Sequence, residues 1–134
     1  MDETTLQIYN DSFEACIARP EFLPRFYEIF IGASPEIRER FRHTDLRKQC
    51  RIVRKSLYVL TLAAVGTDEA RQEIARLGAS HGQTGMGIAP HLYDLWLQCL
   101  LQAVSEFDPA WSERVERSWR QMFEPHLAAL KRFS

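Results

Sequence analysis

The chain's 134 residues suit one domain spanning 1–134, long enough to bury a core without disulfide or metal staples. A composition of 46% hydrophobic and 26% charged residues is that of a globular chain, and a net charge of −1 removes any electrostatic ground for a nucleic-acid or anionic-membrane partner. Cys16, Cys50 and Cys99 make an odd count without C-x-x-C spacing, the start is acidic rather than basic-then-apolar, and no apolar run nears a membrane span; a soluble, cytoplasmic protein with reduced thiols is expected.

Apolar residues recur every three to four positions almost throughout, so the elements are predicted to be helices. The first runs from Thr4 to Ala18 with Leu6, Tyr9, Phe13 and Ile17 inward, and Arg19-Pro20 ends it. The second spans Glu21 to Ile31 with Phe22, Phe26, Tyr27 and Phe30, and Gly32 is the expected stop. Ser34-Pro35-Glu36 reads as an N-cap, a first-turn proline and an acid favoured by the helix dipole, opening a short helix that carries Ile37 and Phe41. Thr44-Asp45 opens a long helix to Gly66, its inward side Leu46, Gln49, Val53, Leu57, Leu60 and Ala64. Thr67-Asp68-Glu69 starts the next, whose apolar side is Ala70, Ile74 and Leu77, followed by His81. After the glycine-rich stretch Gly82 to Gly87, Pro90 opens a helix through Glu106. Asp108-Pro109 is the expected cap of the last helix, which bears Trp111, Val115, Trp119, Met122, Phe123 and Leu127 and should kink at Pro125. The fold class is all-α, helices crossing helices around one core.

Four residues interrupt that apolar pattern or end it. His81 lies one turn after Leu77 on the buried side of its helix, where a neutral imidazole suits an iron ligand with Ser80 or a backbone carbonyl taking the second ring proton. Alone, such a residue is more often a core histidine satisfied by a neighbour. Gln49 sits on the inward side of the long helix and Tyr27 between two phenylalanines; a buried amide and a buried phenol each need a partner, unless their tips reach water. Phe41 by default is core packing. Together they read as a diatomic-gas site: a ligand on one side of a flat cofactor, an aromatic wedge and two hydrogen-bonding groups on the other.

His43, His91 and His126 share no ligand spacing, which speaks against zinc or di-iron. No nucleophile triad can be read, and Cys50 beside Arg51 is weak ground for a reactive thiol. The glycine-rich stretch is no phosphate cradle. The basic run Arg42 to Lys55 could hold anionic carboxylates such as haem propionates, or be simply a solvated helix face.

Over essentially its whole length the sequence resembles the globins, in particular bacterial single-domain globins and the globin domain of flavohaemoglobins. Phe26-Tyr27-Glu28-Ile29-Phe30 and Ser34 to Phe41 look like the family's second and third helices in register, and Ile88-Ala89-Pro90-His91-Leu92-Tyr93 like the opening of its next-to-last helix. The resemblance implies a three-over-three helical sandwich of about eight helices around b-type haem held non-covalently, there being no C-x-x-C-H. It makes His81 the proximal iron ligand, Leu77 its companion, Phe41 the haem wedge and Tyr27 the distal tyrosine. His43, Val53, Ile88 and Tyr93 complete the expected haem contacts. In flavohaemoglobins the tyrosine matched by Tyr93 orients the proximal histidine through a glutamate on the last helix, and no such glutamate is matched here.

Two departures stand out. The stretch from His81 to Pro90 is longer than in flavohaemoglobins, and the segment after Phe41 is shorter, which leaves the distal register open. Gln49 is chosen as the distal amide because Val53 then follows one turn on, whereas the ungapped alignment sets Arg51 and Lys55 over the pocket, and a buried lysine is costly. The implied function is oxygen binding, transport or sensing, or nitric oxide scavenging, at a five-coordinate iron open to O₂, NO or CO, in a monomer or homodimer. Two alternatives remain: a nitric oxide dioxygenase or peroxidase fed by a separate reductase, since no reductase sequence follows Ser134, and a haem-free helical interaction module.

Overall fold

The structure, a computed structural model, describes residues 1–64, 72 and 89–132. The described residues form six helices and no strand: α1 (Glu3–Ile17), α2 (Phe22–Ala33), α3 (Pro35–Arg40), α4 (Leu46–Ala64), α5 (Pro90–Phe107) and α6 (Glu113–Lys131). Apart from residue 72, the helix expected over 67–81 lies outside them. None of the described helices is long and apolar enough to cross a membrane.

The caps explain most boundaries. Asp2 accepts from the Thr5 amide at 2.7 Å and starts α1. The Asp45 carboxylate takes the amides of Arg47 and Lys48 at 3.1 and 3.3 Å and starts α4. Gly32 does not stop α2, which runs on to Ala33. The stop comes from Ser34, held extended at φ −155°, ψ 136° because the ring of Pro35 disfavours a helical residue before it. The same Ser34 hydroxyl caps α3 by accepting from Glu36 at 3.2 Å.

The cap expected at Asp108-Pro109 is displaced. Asp108 instead closes α5, and its carboxylate accepts from Ala110 at 2.8 Å, so it serves a turn rather than a helix start. Ser112 caps α6 by accepting from Val115 at 3.3 Å, with Glu113 and Glu116 favourably placed in the first turn. Trp111 therefore lies in the connecting turn. Pro125 does fall inside α6.

Two layers result. In one, α2 packs on α5 and α5 on α6; across them lie α1, against α6 and α5, and α4, against α2 and α6. Aromatic rings fill the space between. Tyr9, Trp119 and Phe123 are fully buried, with Tyr9 edge-on to Trp119 at 4.9 Å and Trp119 stacked on Phe123 at 5.7 Å. Trp96 links Phe123 to Phe26 on α2, at 6.0 and 5.8 Å. Burying each such ring contributes about 1.5–3 kcal/mol, which makes this interior the main stabilising feature.

Two polar tips within it have partners on other helices. The Trp119 indole N–H donates to the Ser12 hydroxyl at 2.9 Å. The Tyr9 phenol and the Thr61 hydroxyl are 2.8 Å apart, and Thr61 gives its one proton to the Leu57 carbonyl at 2.8 Å. Tyr9 is therefore the donor of that pair. This link ties α1 to α4.

Candidate functional site

The sequence places Tyr27 on the same turn of α2 as Phe26 and Phe30, and all three are buried. The short α3 brings Phe41 back over them, its ring 5.7 Å from that of Tyr27 and 6.0 Å from that of Phe30. Helix α4 then crosses α2 and brings the Gln49 amide toward the Tyr27 phenol. Two residues 22 positions apart in sequence, each singled out as an unpartnered polar group, are thus brought near one another.

The electrostatics keep the phenol protonated. Burial pushes its pKa well above the usual tyrosine value; the nearby Gln49 amide offsets part of the shift, and the neighbouring Cys50 thiol adds to it. The wall around it is apolar. Val53, one turn after Gln49, and Leu57, one turn further, are buried, whereas Arg51 and Lys55 point outward. Val53 is thus inward on α4, and the basic residues Arg51 and Lys55 are not. Leu46, expected inward, is 41% exposed because the first turn of α4 sits at the rim of a cleft.

The other sequence candidates separate. Tyr93 is buried on α5. His43 is exposed, with a ring nitrogen accepting from Arg42 at 3.4 Å. His91 is exposed and reaches Glu36 at 3.2 Å. His126 is half-buried on α6, and burial lowers its pKa against the opposing pull of a hydrogen bond to the Leu60 backbone. Leu77, His81 and Ile88 lie outside the described residues. Among the described residues no cluster of three His, Cys, Asp or Glu side chains could hold a metal ion. What α2, α3 and α4 offer is an uncharged phenol and an uncharged amide near one another on an apolar, aromatic wall.

A Pseudomonas aeruginosa protein, whose crystal structure is described as structurally highly homologous to a human hemoglobin, superimposes with a TM-score of 0.90. It is 32% identical to this chain, and the match covers 96% of this chain and 97% of that one. The chain belongs to the globin family. Neither models of known protein families nor curated proteins gave a match.

Sequence reasoning missed two features of this globin. One is the Tyr9–Thr61 link, for which a threonine one turn after Leu57 on the long helix was the only signal. The other is a cleft of about 370 Å³ behind the wall, where α4 crosses the α1–α2 corner. The basic run of α4 was its signal, and the run alone could not show which apolar surface the arginines border.

Proposed function

We propose that this globin holds b-type haem, with His81 as the iron ligand, and binds a diatomic gas, O₂ first and NO or CO as alternatives, on the side of Tyr27 and Gln49. The observation that carries the reading is the buried Tyr27 phenol, with the Gln49 amide near it and the Phe41 ring beside it on an apolar wall, in a chain of the globin family. The residues fit a flat, mostly apolar group: the wall offers ring faces and branched aliphatics with no formal charge beneath them. The assignment of His81 rests on the family resemblance.

Haem, when bound, supplies the iron to which the gas attaches. The chain's own residues do the discriminating. The buried phenol has a proton to give to an acceptor, and the Gln49 amide beside it has N–H groups to add. A polarised diatomic such as O₂ accepts that proton well, and CO accepts it poorly. One hydrogen bond to a partly charged acceptor contributes about 1.5–3 kcal/mol, roughly tenfold to a hundredfold in affinity. Burial of Tyr27 excludes the water that would compete for it. The phenol is a hydrogen-bond donor here and not a proton donor in the acid–base sense, because its pKa is raised.

The test is an absorption spectrum of purified wild-type protein and of His81→Ala. The wild type should show a Soret band that shifts on adding CO, and the variant should lose it or show altered iron coordination. A wild-type protein that stays colourless after titration with haem, or a His81→Ala spectrum identical to wild type, would overturn the reading.

A further inference from the structure

The cleft behind the wall is built from two kinds of surface. Its floor is apolar: Ile17, Pro20, Leu23 and Pro24 from the α1–α2 corner, with Tyr27 and Cys50 at the inner end. Its α4 side carries Arg47, Arg51 and Arg54, spaced to share one helix face, and all three are exposed. Arg19, also on the rim, is engaged: it lies 3.6 Å from Glu21 and its guanidinium sits 5.4 Å from the Phe107 ring centroid. The three α4 arginines have no carboxylate partner among the described residues. Phe41, Val53 and Tyr93 do not line this space, and Tyr27 is the residue it shares with the wall proposed to face haem.

Three guanidiniums without a carboxylate among the described residues, beside an apolar floor, make an incomplete arrangement. Each presents a fork of donors matched to a carboxylate, and a lone cation on an exposed helix would need no apolar trough next to it. We propose that the cleft binds a free anionic amphiphile, a monocarboxylate with a linear apolar body, its head on Arg47, Arg51 and Arg54 and its chain along Leu23, Pro24 and Tyr27. The volume lies within the range of small-molecule sites. This inference does not depend on haem.

Cys50 provides the probe, since it is half-buried in the cleft floor while Cys16 and Cys99 are fully buried. Dodecanoate should slow alkylation of Cys50 by the neutral reagent iodoacetamide about fivefold or more, whereas dodecanol and acetate should each protect weakly, lacking head or chain. The triple variant Arg47→Gln, Arg51→Gln, Arg54→Gln, at exposed positions, should keep its helical circular dichroism and lose the protection. Isothermal titration reads the same site without the thiol: dodecanoate should bind the triple variant about tenfold or more weakly than wild type. Unchanged alkylation and no heat at saturating dodecanoate would overturn the proposal, as would equal protection or affinity in the triple variant. Protection by an acidic peptide but not by dodecanoate would also overturn it, marking a protein-docking surface instead.

Discussion

Trp119 and Tyr27 are the same kind of residue in two different settings. Each is a buried ring with one polar atom. For Trp119 that atom is satisfied by Ser12, 3% exposed, a short side chain with little freedom to move. For Tyr27 the neighbour is Gln49, a longer side chain, half-buried, on a helix with a cleft behind it. Between α1, α5 and α6 the interior is closed by stacked and edge-on rings; between α2 and α4 it ends in a phenol with an amide near it. The first arrangement stabilises the fold, and the second leaves a hydrogen bond to offer.

The sharpest way to break that contrast is to truncate both residues and compare readouts. Trp119→Ala should lose about 3–5 kcal/mol of stability in urea unfolding, from the cavity it leaves. A loss below about 1 kcal/mol would mean that the ring interior is not the stabilising region. Tyr27→Phe should cost less stability, about 0.5–1.5 kcal/mol. In the haem-loaded protein it should release O₂ about ten to a hundred times faster by stopped flow. A variant that releases O₂ no faster than wild type would remove Tyr27 from the proposed role.

The same contrast bears on what could be read from the residues. The ring interior was legible because its amphipathic spacing runs over whole helices: Tyr9, Phe13 and Ile17 on α1, and Val115, Trp119, Met122, Phe123 and Leu127 on α6, are all buried as expected. Polar misfits were legible too, since Tyr27 and Gln49 stood out on apolar faces. Boundaries were less so. Gly32 was an attractive stop, but Pro35 two residues later decides where α2 ends. Asp108-Pro109 has the chemistry of a cap, but so does Ser112, and nothing local says which one the chain uses. A cleft formed by α4 crossing the α1–α2 corner is a tertiary fact, invisible in any one segment. His81, on which the iron assignment turns, lies outside the described residues.

The smallest expected effect concerns His126, at the edge of the packed interior. Its folded pKa is lowered by burial below the usual histidine value near 6.5. The unfolded chain therefore binds the proton more readily, so stability is full above about pH 6.5 and falls as the pH drops toward the folded value. His126→Gln should flatten that part of the curve of Tm against pH and leave O₂ release from the haem-loaded protein unchanged. A slope that persists in the variant would assign it to another group.

The hydroxyl chain from Tyr9 through Thr61 to the Leu57 carbonyl fastens α4 to α1 well away from Gln49. Twelve residues separate Thr61 from Gln49, a lever arm of about 18 Å at the helical rise. A tilt of only about 3° about that pin carries the amide end through about 1 Å, the scale that separates a hydrogen bond from none. The long helix is thus anchored at its far end and adjustable at its working end, and the N-terminal helix sets the fulcrum.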